Sequence, residues 1–216
     1  DSFSTRSIKV KSAIEPLTPY VGMFGYYNGP EVNRVLFSYH QMNRLLGYKK
    51  SEEEINMSCK ASVNISKDDK YLIRSLNLPS EYISIVIGGE WGYRTFQKWG
   101  EVIRHIFDMN QITYIVLIGS SNGSKDARKL EKAIDSNRLF NCVNQYSYLQ
   151  TVEIIRNSKL LLCCDGGLMH GSNAVETPII SLFARLTPKM QLTDRNHSFS
   201  LYDKDDVNII QVGEIM

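Results

Sequence analysis

From Tyr82 onward the chain repeats a pattern that few folds accept: a short unbroken apolar run, a stop, then a stretch of helical period. The runs are "YISIVIGG", "ITYIVLIG", "KLLLCC" and "PIISLF", with a shorter "LFNCV" between the second and third. Each is four to eight residues of aliphatic or β-branched character, which reads as a buried strand. Between them, "TFQKWGEVIRHIFDMN" predicts a helix with Phe96, Trp99, Ile103, Ile106 and Phe107 on one face. "SKDARKLEKAIDSN" predicts another with Ala127, Leu130, Ala133 and Ile134 inward, and "YLQTVEIIRNS" a third with Leu149, Val152 and Ile155 inward. Strands alternating with amphipathic helices mean βαβ units and a parallel sheet. Helices on both faces of that sheet explain why the strands are apolar throughout rather than alternating.

The first 80 residues lack such a series. "PEVNRVLFSYHQMNRLLGY" predicts a helix with Pro30 near its start and Gly47 near its end. "KKSEEE" reads as a solvated charge run, and "SKDDKYLIRSLNLP" as a helix that ends before Pro79. The expected organisation is therefore a helical and irregular segment, 1–78, followed by a Rossmann-like α/β domain, 79–216.

Composition excludes several classes. Formal net charge is +2 with Lys and Arg scattered, too mild for a nucleic-acid or membrane surface. No apolar run approaches the roughly 20 residues of a membrane span, and "DSFSTRSIKVKS" lacks the apolar core of a signal peptide. The four cysteines, Cys59, Cys142, Cys163 and Cys164, show no CxxC spacing, which argues against a zinc site or disulfide framework and suits a reducing cytoplasm. The chain starts with Asp rather than Met, as a processed protein or a piece of a longer one would.

In open parallel sheets ligands bind outside the carboxyl ends of the strands. Here those ends are Gly88-Gly89-Glu90, Gly119-Ser120-Ser121-Asn122-Gly123, Asn144 to Tyr148, and Asp165-Gly166-Gly167. Glycine lets a backbone approach a ligand closely, and amides at a helix N-terminus make an anion site. Glycines also simply end strands, but several on one sheet edge favour binding. In "LLLCCDGGLMHGSNAVETPIISLF" the helix that begins near Gly167 would turn its first amides, Gly167, Leu168 and Met169, to the crevice. His170 lies in its first turn, either a donor to phosphate or an ordinary half-buried histidine. Asp165 could cap the helix or accept from a sugar hydroxyl. Tyr146 and Tyr148 could stack on a base, while Cys163 and Cys164 read as apolar filler.

"GSSNG" matches the G-x-S-x-G of a nucleophile elbow and lies between a strand and a helix. The helix behind an elbow packs tightly against the serine, whereas "NGSKDARK" is polar and begins late. A serine hydrolase is the weaker reading.

"CDGGLMHGSNAVETP" resembles the D-(S/T)-G-x-x-H-x-A-x-A-x-x-x-P signature of family 9 glycosyltransferases, the ADP-heptose:lipopolysaccharide heptosyltransferases. Asp165, Gly167, His170, Ala174, Thr177 and Pro178 fall on the pattern. Upstream, "IVIGGEWGYRTFQKWGEVI" resembles the first strand, glycine loop and helix start of the family's C-terminal domain, and "YIVLIGSSNGSKDARKLEKAI" its next βα unit. The likeness runs from Ile83 to Thr187. There are departures. Gly166 stands in place of the family's Ser or Thr and removes a hydroxyl. Gln97 replaces the lysine two before the tryptophan, with Lys98 one place later and Arg94 four before Lys98. Ser172 and Asn173 replace small apolar residues, and Glu176 replaces a glycine.

The resemblance implies the C-terminal, donor-binding half of a two-domain GT-B enzyme, with 1–78 the tail of the N-terminal domain and the interdomain linker, 79–216 the nucleotide-sugar-binding domain, and the general base and the acceptor on the N-terminal domain. Such a half would be inactive alone. It implies transfer of a sugar, heptose from ADP-heptose, to a lipopolysaccharide-core or related lipid-linked glycan acceptor, with no metal or cofactor. It places the enzyme in the cytoplasm, with at most peripheral contact at the inner face of the bacterial inner membrane. The expected donor-binding residues are Gly88, Gly89, Glu90, Arg94, Lys98, Gly119, Ser120, Ser121, Tyr146, Tyr148, Asp165, Gly166, Gly167, Leu168, Met169 and His170. A sugar-nucleotide epimerase of the same fold and a non-catalytic nucleotide-sugar-binding module remain as alternatives.

Overall fold

The computed structural model describes residues 13, 33–59, 61–109, 112–193 and 196–216. Two compact units are present: Asp1–Lys60 with Pro188–Arg195, and Ala61–Thr187 with Asn196–Met216.

In the first unit, α1 (Arg34–Leu46) starts at Asn33, whose side-chain oxygen accepts from the amides of Val35 and Leu36. The Asn33 Nδ2 donates to the carbonyls of Lys189 and Leu192 at 2.8 and 2.7 Å, so the cap also holds the returning chain. The helix ends at Gly47, in the left-handed region at φ 73°, a conformation that glycine adopts without a Cβ penalty. Pro30 lies outside the described residues. The run "KKSEEE" is more than a solvated stretch: Ser51 and Glu54 form a capping box that opens α2 (Glu52–Ser58). Those Ser51 hydrogen bonds hold the Glu54 carboxyl below its ordinary pKa.

The second unit holds a six-stranded sheet in the order β3-β2-β1-β4-β5-β6, with all neighbours parallel. The strands are β1 (Tyr82–Val86), β2 (Tyr114–Ile118), β3 (Leu139–Asn141), β4 (Leu160–Cys164), β5 (Ile179–Ala184) and β6 (Ser198–Asp203). The sequence pattern shows five of these. β6, "SFSLYD", escapes it because it is an edge strand with no fully buried residue, so nothing forces an apolar run there. The hydroxyls of Ser181 and Ser200 meet at 2.9 Å across its junction with β5.

The helices follow the expected alternation: α4 (Trp99–Met109), α5 (Ser124–Ile134), α6 (Tyr148–Arg156) and α7 (Gly167–Val175), with a short α8 (Val212–Ile215) at the end. The earlier α3 (Lys67–Ser75), read from the sequence as part of the preceding segment, falls in the sheet-bearing unit. It is tied to α6 by Gln150 Nε2 donating to Asp69 Oδ1 at 2.8 Å. Ile115, Val116, Leu117 and Ile118 are all wholly buried, so both faces of the sheet are covered. Each such side chain contributes about 1.5–3 kcal/mol by leaving water. On α4 the face predicted from the period is buried, with Phe96 just ahead of the helix against Trp99 at 4.9 Å.

Two helices differ from expectation. Ala133 of α5 is exposed and only Ala127 is fully buried. α6 buries every residue from Thr151 to Ile155, including Glu153. Glu153 keeps an ion pair with Arg156 at 3.3 Å. The Tyr82 hydroxyl and the Thr177 hydroxyl donate to the carbonyls of Ile154 and Ile155, so α6 is wedged between β1 and the α7–β5 turn.

Candidate functional site

The chain runs from β1 outward to β2 and β3, then returns across β1 to β4. The strand order therefore reverses between β1 and β4, where such sheets open a crevice. A cavity of about 390 Å³ lies there, within the range of small-molecule sites. Its walls come from the carboxyl ends of three strands and the first turns of two helices. Val86, Ile87, Gly88, Gly89, Glu90 and Arg94 line it after β1, and Gly119, Ser120 and Asn122 after β2. Asn144, Tyr146, Tyr148 and Thr151 come from the approach to α6, and Cys164 to Met169 from the β4–α7 turn.

The loops after β1 and β2 are locked together. Gly88 has φ +92°, and a Cβ there would lie 2.7 Å from the Gly123 backbone. Gly119, at φ +150°, and Gly123 both press on the Ile87 carbonyl, where a Cβ would overlap its oxygen. Asn122 finishes the joint: its Nδ2 donates to the Gly89 carbonyl at 2.9 Å, and its Oδ1 accepts from the Ser120 hydroxyl at 2.8 Å.

The β4–α7 turn is built differently. A Cβ on Gly166 or Gly167 would meet nothing closer than 3.9 Å. No side chain caps α7 at its N-cap position, Gly166, and the first amides of a helix have no partner within it. Gly167, Leu168 and Met169 thus bring backbone donors and the positive end of the helix dipole to the cavity wall. The Tyr148 hydroxyl donates to the Gly167 carbonyl at 3.0 Å and fixes the turn from the α6 side.

Among the described residues lining the cavity, Arg94 is the one Arg or Lys. It ends a 3₁₀ turn, Gly92–Arg94, that follows the β1 loop. Its guanidinium stands 3.5 Å from Asp165 Oδ2 and 3.1 Å from Glu90 Oε2. Asp165 is nearly sealed, its side chain 6% exposed, so the arginine compensates a carboxylate taken out of water. Cys164 beside it is buried among apolar neighbours, which pushes its thiol up to about 12. Cys163 is wholly buried and raised for the same reason, so both are neutral packing groups, as the sequence suggests. Burial also raises the Tyr146 and Tyr148 phenols.

Thirteen of the expected residues line the cavity, from Gly88 through Met169; Lys98, Ser121 and His170 do not. Lys98 Nζ donates to the Ile210 carbonyl at 3.0 Å and lies over the Phe96 ring, so it anchors the C-terminal segment. His170 is half-buried one residue beyond the amides that reach the cavity. Ser121 is exposed, opens a 3₁₀ turn and has no positive φ, unlike the strained serine of an elbow. The sequence reading places Asn122 and Asn144 at the binding edge without giving them a role, and it passes over Thr151. Asn144 stands at φ 60°, a conformation for which Asn is favoured, so an asparagine just past a strand was a legible signal.

Fold and cleft together define a Rossmann-like domain with a cavity at the carboxyl edge of its parallel sheet. The model of glycosyltransferase family 9 (heptosyltransferase) matches residues 27–201, and the chain belongs to that family. No curated protein matches the sequence. The fold is similar to that of Escherichia coli ADP-heptose LPS heptosyltransferase II, with TM-score 0.60 at 18% identity, covering 71% of this chain and 50% of that one. It is similar to a family 9 glycosyl transferase from Veillonella parvula, with TM-score 0.62 at 12% identity over 71% and 51%. It is also similar to E. coli heptosyltransferase WaaC with ADP, with TM-score 0.57 at 13% identity over 82% and 51%. The chain spans about half the length of these proteins. Among the described residues no helix is long and apolar enough to cross a membrane.

Of the departures from the family pattern, Ser172 finds a local reason and Glu176 does not. The Ser172 hydroxyl, fully buried, donates to the Thr177 carbonyl at 3.0 Å. Glu176, where the family has glycine, sits at the left-handed C-cap of α7, at φ 62°, a position that favours glycine.

Proposed function

We propose that this chain is the donor-binding part of a glycosyltransferase. It would hold ADP-heptose while the heptose passes to a lipopolysaccharide-core or related lipid-linked glycan acceptor. The observation that carries the reading is the uncapped start of α7, opening with Arg94 into one cavity at the strand-order reversal. As the bond between the anomeric carbon and the diphosphate breaks, the electron pair stays with the leaving oxygen. Preorganised amides and a guanidinium stabilise that growing charge without reorganising. Gly167 to Met169 would face the diphosphate with Arg94 opposite, and Tyr146 and Asn144 would lie toward the nucleoside. The reading assigns charge stabilisation to these groups rather than to a metal. It assigns the base that takes the acceptor proton to the N-terminal domain of the whole enzyme.

An epimerase would need a set of carboxylates able to exchange protons with the sugar, whereas Asp165 is buried against Arg94 and Glu90 is the one other carboxylate lining the cavity among the described residues. A binding module would take up the donor and turn over nothing. Calorimetry tests the binding step: ADP should bind at least about tenfold more tightly than AMP, a difference of about 1.4 kcal/mol. Equal affinities would remove the diphosphate from this site. Product analysis of the whole enzyme with ADP-heptose and a lipid-linked acceptor separates transfer from epimerisation and from binding alone.

A further inference from the structure

The charges around the cavity are unusual for an anion site, because its single lining guanidinium is already shared by two carboxylates. The two are not equivalent. Asp165 is 6% exposed and Arg94 21%, so their pairing is shielded from water. Glu90 is 72% exposed, and an ion pair in that setting is weak, screened and easily exchanged. Asp165 cannot give up Arg94 without leaving a buried charge uncompensated. Of the two carboxylates, Glu90 is therefore the one that an incoming phosphate can displace from Arg94. Glu90 stays attached through the β1 loop, whose Gly89 carbonyl is held by Asn122, so it remains beside the phosphates once displaced.

We infer that Glu90 is a specificity-determining residue that reads the charge of the diphosphate. This rests on the donor-site reading above. A terminal phosphate carries nearly one more negative charge at neutral pH than one esterified to a sugar, its second pKa being about 6. Next to a displaced Glu90 that extra charge is repelled, so the site favours the sugar-bearing donor over the free nucleoside diphosphate. The same repulsion helps the spent nucleotide leave.

The test compares ADP with ADP-glucose, a commercial stand-in for the donor, by calorimetry on wild type, Glu90→Gln and Glu90→Asp. Glu90→Gln should tighten ADP about fivefold and ADP-glucose about twofold or less, a differential of about 0.5 kcal/mol at 1.4 kcal/mol per tenfold. Glu90→Asp should keep the wild-type ratio. Adenosine, as the uncharged control, should bind all three alike. If both ligands bind and Glu90→Gln leaves their ratio unchanged, or shifts it toward ADP-glucose, the inference is wrong while the donor site stands. If wild type binds neither ligand, the donor-site reading itself fails and this inference with it.

Discussion

Three glycine-bearing turns face the same cavity, and the first two owe their glycines to a cause opposite to that of the third. In the β1 and β2 loops, Gly88, Gly119 and Gly123 are squeezed between backbones, and a methyl group has no room. In the β4–α7 turn, Gly166 and Gly167 border open space, and Gly166 is in extended backbone that any residue adopts. The first pair of loops is glycine-rich so that the wall can be built at all. The third turn is glycine-rich where no neighbouring atom requires it, and the proposed donor site would give those glycines a reason.

The sharpest way to break this contrast is to add a methyl group on each side. Gly123→Ala would drive its Cβ into the Ile87 carbonyl, with the Ile87 carbon at 2.8 Å and the Gly88 nitrogen at 3.3 Å. It should cost about 3 kcal/mol or more, since backbone must move. Gly166→Ala should change stability by no more than about 1 kcal/mol. Chemical denaturation of both variants gives the comparison, and similar losses would erase it.

Next in size is Arg94→Ala. It leaves Asp165 buried without its cation, a penalty of about 1–3 kcal/mol at the pair's long 3.5 Å spacing. ADP affinity should also fall by about tenfold, whereas Lys98→Ala should leave ADP affinity unchanged. A variant pair with those binding effects exchanged would return the phosphate role to Lys98. The smallest effect is expected from Gly166→Ser, which restores the hydroxyl at the N-cap. It should stabilise the fold by a few tenths of a kcal/mol and tighten ADP. Weaker ADP binding would mean that the open space at Gly166 is itself needed by the ligand.

Much of this architecture is legible in the sequence because buried parallel strands must be apolar on both faces and must stop where the chain turns at the sheet edge. The runs "YISIVIGG" and "KLLLCC" therefore mark both the strands and the rims of the cleft. β6 is hidden because an edge strand with Phe199 and Tyr202 exposed carries no such signature. Within the site, spacing along the chain places a residue near an edge but does not say what it touches. Lys98 and Arg94 look interchangeable as cations, yet only the structure separates one bonded to Ile210 from one set against Asp165. Likewise "GSSNG" reads as binding loop or elbow until the backbone overlap with Ile87 shows why its glycines are there.

The central claim is that the first amides of α7 hold the diphosphate. Amide chemical shifts of the ¹⁵N-labelled chain during titration with ADP, with AMP as reference, test it directly. The account predicts that the largest ADP-specific changes fall on Gly167, Leu168 and Met169, with smaller ones at Gly88 and Gly89 and none at Lys98. Saturable ADP binding that leaves those three amides unmoved would contradict it.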